Sequence, residues 1–240
     1  MASCVVVPCQ NQPVMVSLLD RRVYALADVD RLLALPAGTA RRWIDGYHRG
    51  DIHYPPVIRV ERTRDEAVTW GEFVEARLLA EFRSRGASMQ RLRPAVVRLR
   101  EEFGRYPLAH ASPFLEVEGR ELVRRVQDQV GIEGHEMLVV VRSGQVMMSA
   151  PVTDFVGDMR YSVGANREAT AVVPARFGGF VTLDPLHQHG RPVVRAVPTE
   201  VVAEQFRAGE STETIADLFD LTVVQVEHAL RFELSLSRSA

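Results

Sequence analysis

Apolar and polar residues recur at helical spacing near the N-terminus, with proline and glycine marking the breaks. The apolar positions of the first stretch are Leu26, Val29, Leu32 and Leu33. Their three- and four-residue intervals predict a helix over about residues 28–35, ended by the Pro36-Ala37-Gly38 break. A second helix is predicted over about residues 39–47, because Gly50 then ends the pattern. Two short helices joined by a tight turn have the outline of a helix-turn-helix unit.

Extended structure is predicted after the second helix. Within residues 51–70, the two adjacent prolines Pro55 and Pro56 are followed by a cluster of β-branched residues, Val57, Ile58 and Val60. Because β-branched clusters favour strands and prolines interrupt helices, the pattern predicts a short hairpin, or wing.

Two longer amphipathic helices follow the wing. The first ends at Gly86, and its apolar face holds Phe73, Val74, Leu78, Leu79 and Phe82. The second begins at Ser88, a favourable N-cap residue, and ends at Gly104. Pro94 lacks the backbone N–H that a helix interior needs, so we expect a kink or a later start of this helix.

The middle of the chain has a strand-like pattern. Residues 137–152 contain two apolar runs on either side of Ser143-Gly144, which is typical of a hairpin with a two-residue turn. Residues 169–185 repeat this pattern around Gly178-Gly179, and the stretch between them is expected to be a loop. A helix is expected over residues 121–130, so the region predicts a small, mostly antiparallel β unit.

Three short helices are predicted at the C-terminal end. Thr199 and Ser211 are expected to cap the first two, which end near Ala208 and Phe219. The third begins at Thr222, whose spacing to Gln225 fits a capping box, and it turns Val226 and Leu230 to its inner face. Three helices with short turns have the outline of a second helix-turn-helix.

The chain is therefore predicted to be an α+β protein with three segments. Residues 1–110 form a winged helix-turn-helix with a helical extension, residues 111–184 form the β unit, and residues 185–240 form the three-helix domain. Their charges differ: the first segment has 17 Arg and 13 acidic residues, a net of +4, and each of the others has a net of −3. An anionic partner is expected to dock on the first segment.

The best candidate for DNA contact is the stretch GTARRWIDGYHRG, residues 38–50. A recognition helix needs polar and cationic side chains that reach bases and phosphates, and arginine can bind either. The candidate DNA-binding residues are Thr39, Arg41, Arg42, Tyr47, His48 and Arg49, while Trp43 and Ile44 are assigned to the core. The alternative is a solvated basic face on an ordinary helix pair.

The C-terminal helix-turn-helix has the wrong charge for DNA. Its one basic residue is Arg231, whereas six acidic residues lie in or beside the stretch: Glu210, Glu213, Asp217, Asp220, Glu227 and Glu233. We therefore interpret this unit as a packing or protein-contact module. DNA contact through Thr222, Gln225 and His228 stays open as the alternative.

No pattern points to catalysis, a cofactor or a bound metal. His187 and His189 with Asp184 are too few for a supported metal site, and the hydrolase that they would suggest is our third hypothesis. Cys4 and Cys9 are also too few for a structural zinc site and are interpreted as incidental. The chain lacks a run of about 18 apolar residues and a basic, apolar leader, so a cytoplasmic protein without a membrane span is expected.

The order of these parts resembles a known family. The stretch AGTARRWIDGYHRG with the two helices after it resembles the MerR-like winged module. The stretch GESTETIADLFDLTVVQVEHAL resembles the helical domain of VapB-type antitoxins, and the whole chain is similar to mycobacterial VapB-type antitoxins that carry both. The segment 195–198, RAVP, departs from the GTRIP pattern that relatives often have there.

The resemblance implies a type II toxin–antitoxin module. The partner would be a VapC-type PIN-domain ribonuclease toxin that uses Mg²⁺ held by clustered carboxylates. The protein would also bind double-stranded operator DNA as a homodimer and repress its own promoter. An arginine would suit the toxin's acidic site, and the candidates are Arg142, Arg160 and Arg238.

A second function is compatible with the same pattern. The β unit at residues 111–184 is large enough for a small-molecule pocket, which would make the protein a ligand-responsive transcriptional repressor. A thermal shift across a metabolite panel would distinguish this alternative from the antitoxin function.

Overall fold

The structure, a computed structural model, describes residues 17–164 and 167–237. Cys4, Cys9 and Arg238 lie outside the described residues. The helices are α1 (Leu26–Leu32), α2 (Thr39–Ile44), α3 (Trp70–Ser84), α4 (Met89–Phe103), α5 (Ser112–Leu115), α6 (Val117–Val130), α7 (Ala150–Asp158), α8 (Thr199–Arg207), α9 (Thr212–Phe219) and α10 (Val223–Ser237).

Short strands connect and cover these helices in small antiparallel sheets. They are β1 (Arg22–Ala25), β2 (Tyr47–Arg49), β3 (Ile52–Tyr54), β4 (Ala67–Thr69), β5 (Val139–Arg142), β6 (Gln145–Met148), β7 (Met159–Tyr161), β8 (Ala169–Val172), β9 (Val181–Thr182), β10 (Val193–Val194) and β11 (Val197–Pro198). The α+β class is confirmed, with the helix-turn-helix at the N-terminal end and a helical unit at the C-terminal end.

The helix-turn-helix is present, but both of its helices differ from the predicted bounds. Helix α1 begins and ends earlier than expected, and α2 ends at Ile44 instead of Tyr47. The reason for the early end is Gly46, which has φ +73° and packs against the chain returning from the wing. A Cβ there would lie 2.7 Å from the Tyr54 carbonyl oxygen, so only glycine allows this reversal.

The wing exists, but its predicted position was wrong. Strands β2 and β3 pair across the Gly50-Asp51 turn, so the hairpin comes before the two prolines. Val57 and Ile58 are instead buried loop residues whose N–H groups donate to the Trp43 carbonyl at 2.8 and 3.1 Å. This loop therefore packs under α2.

The helical extension agrees with its prediction. Thr69 and Glu72 form a reciprocal capping box at the start of α3, and Gly104 ends α4. The predicted later start of α4 was wrong, because the helix begins at Met89 and runs through Pro94. The aromatic face of α3, which includes Trp70 and Phe73, is fully buried.

The middle segment contains more helix than predicted. The β5–β6 hairpin is confirmed, and its turn residues Ser143 (φ 50°) and Gly144 (φ 78°) both adopt the left-handed conformation that such turns require. The expected loop at 154–168 is wrong in part, since it contains the end of α7 and all of β7. Strand β8 pairs with β7, and it meets the 181–183 stretch only through the Val172–Leu183 bridge.

The C-terminal helices confirm two of the three predicted caps. Ser211 accepts the Thr214 N–H, and Thr222 and Gln225 form the reciprocal box. The Thr199 cap was wrong: Pro198 is the N-cap residue, and the Thr199 hydroxyl instead donates to Glu233 on α10 at 2.5 Å. Thr199 therefore ties α8 to α10.

One continuous apolar core runs through all three segments. The Trp70 indole N–H donates to the Ala169 carbonyl at 2.7 Å, which links α3 to β8. The Tyr24 hydroxyl donates to the Gly190 carbonyl at 2.6 Å, which links β1 to the segment before the C-terminal helices. The segments thus pack on one another, and the boundaries at residues 110 and 184 stay predictions.

Within residues 17–164 and 167–237, we found no helix with the length and apolar character needed to cross a bilayer.

Candidate nucleic-acid interface

The α1–α2 angle depends on one buried carboxylate, Asp30. Its oxygens accept the backbone N–H groups of Gly38 and Ala40, each at 2.7 Å, and only 8% of the residue is exposed. These N–H groups belong to the start of α2, where a helix lacks internal acceptors. Sequence reasoning missed Asp30, because the residue precedes α2 by nine positions and a cap is ordinarily sought directly before the helix.

Helix α2 carries three of the predicted DNA-binding residues, and they differ in exposure. Thr39 is 7% exposed, and its hydroxyl accepts a hydrogen bond from the Arg42 guanidinium at 2.8 Å. Arg42 itself is exposed. Arg41 is also exposed and forms an ion pair with Glu66. The buried Thr39 hydroxyl thus orients the Arg42 side chain, while Arg41 and Arg42 both remain exposed.

The other three predicted residues lie on the wing. Tyr47, His48 and Arg49 form β2, so Tyr47 does not end the second helix as predicted, and these three residues belong to the element that follows α2. The Tyr47 ring stacks on Tyr54 with centroids 4.6 Å apart, and the His48 ring stacks on His53 at 4.5 Å. These cross-strand stacks stiffen a two-stranded hairpin, which would be marginally stable alone.

The structure brings part of the predicted set together. One cleft beside α2 is lined by four of the six, Thr39, Arg42, Tyr47 and Arg49, although they come from two elements. Arg41 and His48 have other neighbours: Arg41 contacts Glu66, and the His48 imidazole lies 3.3 Å from Arg62. The candidate interface therefore consists of α2 with the wing beside it. Trp43 and Ile44 are buried, as predicted.

A cluster of buried charged side chains, Arg59 with Asp45 and Glu72, lies beneath this interface. The Arg59 guanidinium lies 2.8 Å from Glu72 and 3.3 Å from Asp45, and it also donates to the carbonyls of Asp65 and Ala67. Burial acts to raise the pKa of Asp45. Hydrogen bonds from the Thr63 and Arg64 N–H groups and from Arg59 outweigh it and hold the pKa below its usual range. The cluster joins the end of α2 to the start of α3.

In the C-terminal helix-turn-helix, the polar residues of the alternative DNA site make contacts within the protein, although Thr222 is exposed and Gln225 and His228 are half-buried. Thr222 and Gln225 bond each other's backbone in the capping box. The His228 ring packs against Phe180, with centroids 5.2 Å apart. Five of the six acidic residues are exposed on this unit, and Glu233 is buried against Thr199. This geometry agrees with a protein-contact module.

The His187-Gln188-His189 stretch has a packing role. His187 pairs with Asp184 at 2.7 Å, and the chain then turns through left-handed residues to Gly190. A Cβ on Gly190 would lie 2.4 Å from Val23, so this turn fits tightly against β1. In the part of the chain that the structure describes, no group of three metal-ligating side chains occurs.

The fold and the exposed residues of α2 and the wing define a helix-turn-helix protein with a winged N-terminal unit and a helical C-terminal unit. Residues 22–96 match the family described as "Putative DNA-binding HTH domain". Residues 181–232 match the family described as "Protein of unknown function (DUF433)".

The chain belongs to a protein family with members in Mycobacterium tuberculosis. It is 36% identical to the uncharacterized protein Rv2308 over 230 residues, which cover 90% of this chain and 92% of that protein. It is 30% identical to the protein described as "Putative antitoxin VapB45" over 227 residues, covering 88% and 93%. The crystal structure of Rv2018 has the same fold, with a TM-score of 0.71 at 27% identity, covering 89% of this chain and 100% of that one.

Proposed function

We propose that the protein is a DNA-binding antitoxin of the VapB type. It represses its own promoter through α2 and the wing, and it neutralises a VapC-type ribonuclease toxin by direct binding in the cytoplasm. The observation that carries the proposal is the division of charge over one rigid core: arginines project from the helix-turn-helix, and carboxylates project from the C-terminal unit. The family relationship to a putative antitoxin supports it. Both activities are binding, so the proposal includes no catalytic residue and no cofactor.

Helix α2 is the element that we place in the major groove. Arg42 is held by Thr39 in a position to bind a guanine edge or a phosphate. Arg41 can exchange its exposed pairing with Glu66 for a phosphate, since such surface ion pairs are weak. Arg49 at the end of β2 lies next to the hairpin turn and reaches the backbone beside the groove. A homodimer would place two such helices about one DNA turn apart, roughly 34 Å.

Replacing Arg41 or Arg42 with alanine should weaken operator binding. We expect a loss of about 1–3 kcal/mol if the residue reads a base, or a salt dependence lower by about one unit if it binds a phosphate. Fluorescence anisotropy with promoter DNA at several salt concentrations measures both. Arg231→Ala is the matched control, because it removes the same charge from α10, where Arg231 pairs with Glu227. Unchanged binding in both N-terminal variants would contradict the assignment.

We propose that the toxin-binding surface lies on the two acidic segments. The C-terminal unit exposes apolar side chains among its carboxylates, namely Phe206, Leu218, Val224 and Leu234. Arg142 and Arg160 are both exposed, but the Arg160 guanidinium donates to the Met159 carbonyl at 3.1 Å, whereas Arg142 lies beside the β5–β6 turn and forms no ion pair among the described residues. We therefore favour Arg142 as the side chain that reaches the toxin's carboxylates.

Co-expression tests the antitoxin function. The product of the neighbouring small open reading frame should arrest growth alone, and co-expression of this chain should restore growth. Arg142→Ala should restore growth less well, while Arg160→Ala serves as the comparison. A neighbouring product that is harmless alone, or that stays toxic with the chain present, would show that the function is something else.

A further inference from the structure

We propose that the cleft beside α2 extends the DNA contact, and that its arginines bind a phosphodiester of the DNA backbone outside the groove that α2 enters. This inference rests on the proposed DNA-binding function and adds residues that sequence reasoning did not identify. The cleft has a volume of about 650 Å³ and lies between α2, the wing and the turn that joins α3 to α4. Its cationic lining residues are Arg42, Arg49, Arg83 and Arg93.

The cleft has an unbalanced charge. Within residues 17–164 and 167–237, no acidic side chain lines it, and the other polar lining residues are neutral: Thr39, Tyr47, Ser88 and Gln90. Among the described residues, none of the four arginines forms an ion pair. Four positive charges that converge without a carboxylate repel one another, and a bound anion would relieve that repulsion.

The neighbouring arginines outside the cleft, unlike those that line it, pair with carboxylates. Arg85 pairs with Asp154 and Arg91 pairs with Glu136, although each lies only two positions from a cleft arginine. Glu136 also accepts the Ser88 N–H at 2.9 Å, and it does not line the cleft. On either side of the α3–α4 turn, Arg85 and Arg91 therefore pair with carboxylates, whereas Arg83 and Arg93 line the cleft.

Arg93 provides an independent indication of a missing acceptor. Its Nε–H is buried and has no hydrogen-bond partner among the described residues. A buried donor without an acceptor is costly, and native structures rarely tolerate one. A phosphate in the cleft would accept from the guanidinium groups that line it, which bind phosphates in a forked geometry, and a turn of the Arg93 side chain toward that phosphate would give its Nε–H an acceptor.

The position of the cleft favours DNA as the source of the phosphate. Arg42 and Arg49 belong both to the cleft and to the proposed α2–wing interface, so the two surfaces are continuous. A duplex whose groove is occupied by α2 would carry its backbone along the cleft wall formed by the α3–α4 turn. Phosphate contacts of this kind fix the register of a protein on DNA and make binding salt-dependent.

The test is the salt dependence of DNA binding by the full chain with Arg83→Ala and Arg93→Ala combined. The slope of log Kd against log salt should become shallower by about two units, for the operator and for unrelated duplexes alike. Arg98→Ala is the matched control, since Arg98 lies on α4 but pairs with Glu101 and Glu102, and its slope should match the wild type. The Arg83→Lys, Arg93→Lys variant keeps both charges and should retain most of the wild-type slope.

The outcomes separate this inference from the proposed function. If the wild type binds no operator, the proposed function fails. If the wild type binds and the double alanine variant keeps its slope while remaining folded by circular dichroism, the cleft assignment alone is overturned. Titration with inorganic pyrophosphate distinguishes a second source of phosphate. If the wild type binds pyrophosphate, the double alanine variant does not, and the salt slope of DNA binding is the same for both, the cleft binds a small phosphate compound. That result would overturn the DNA assignment.

Discussion

The Arg59→Met variant is expected to lose about 3–5 kcal/mol of unfolding free energy, the largest effect that we predict for a single side chain. Removal of the guanidinium leaves the Glu72 carboxylate buried without a cation and leaves Asp45 with only Arg62, at 3.5 Å; the Asp45 and Glu72 side chains are 2% and 5% exposed. It also removes the donors to the Asp65 and Ala67 carbonyls, so the loop behind the wing loses its support. Operator binding should weaken with it.

Urea denaturation measures the loss, and two further variants identify its cause. Arg62→Met is the control: Arg62 also lies beside Asp45, at 3.5 Å, but its side chain is 36% exposed, so its loss should cost less than about 1 kcal/mol. Adding Asp45→Asn and Glu72→Gln to Arg59→Met should recover part of the stability, because the uncompensated charges are removed. A loss no greater than that of the control would contradict the supporting role of this cluster.

The second large effect is expected at Glu75, where Glu75→Gln should stabilise the protein at pH 8 by up to about 3 kcal/mol. Glu75 is fully buried on α3, and burial raises its pKa to about 7 against the partial compensation by Arg100 and the Leu108 N–H. One carboxyl oxygen accepts that N–H at 3.1 Å, and the other has no hydrogen-bond partner among the described residues.

The pH dependence of this effect follows from the raised pKa. Between pH 4.5 and about 7 the folded protein keeps the Glu75 proton while the unfolded chain releases it, so stability falls as the pH rises through this window. Above pH 7, Glu75 is ionised in the folded protein as well, and the full free-energy cost of burying its charge is present. Glutamine keeps the acceptor for the Leu108 N–H and carries no charge, so the variant lacks this loss.

Urea denaturation at pH 5 and pH 8 tests the prediction. The advantage of Glu75→Gln should be below about 1 kcal/mol at pH 5 and should approach its full value at pH 8. Glu61→Gln removes the same charge from an exposed position and controls for the change in net charge. An equal advantage at both pH values would mean that Glu75 is ionised in the folded protein throughout.

Local patterns predicted the elements whose stabilising contacts are close in sequence. The periodicity of α3 and α4, the Ser143-Gly144 turn and the Thr222–Gln225 capping box were predictable because each depends on residues within about one turn of one another. The end of α2 was mispredicted because its cause, the approach of Tyr54 to Gly46, comes from a segment eight residues away. Strand β8 was expected to pair with the segment after Gly178-Gly179, but its main partner is β7.

The candidate site likewise has features that the sequence predicted and features that it could not predict. Composition indicated that the first segment is cationic and that the stretch from Gly38 to Gly50 is rich in groups that bind DNA. It could not show that Thr39 is buried, that the wing carries Tyr47 to Arg49, or that Asp30 holds the start of α2. These are properties of side-chain packing between separate elements.

The sequence by itself determined the helix-turn-helix pattern and the sign of the charge on each segment, and the acidic C-terminal unit led to the interpretation of a protein contact, with DNA contact as the alternative. Only the tertiary structure decided which charges are available. Arg59 and Arg83 are the same residue type in the same segment, yet the first is enclosed by two carboxylates and the second lines an open cleft. The reason is physical: helix periodicity and net charge follow from neighbouring residues, whereas an ion pair depends on which distant carboxylate the fold brings within a few ångströms.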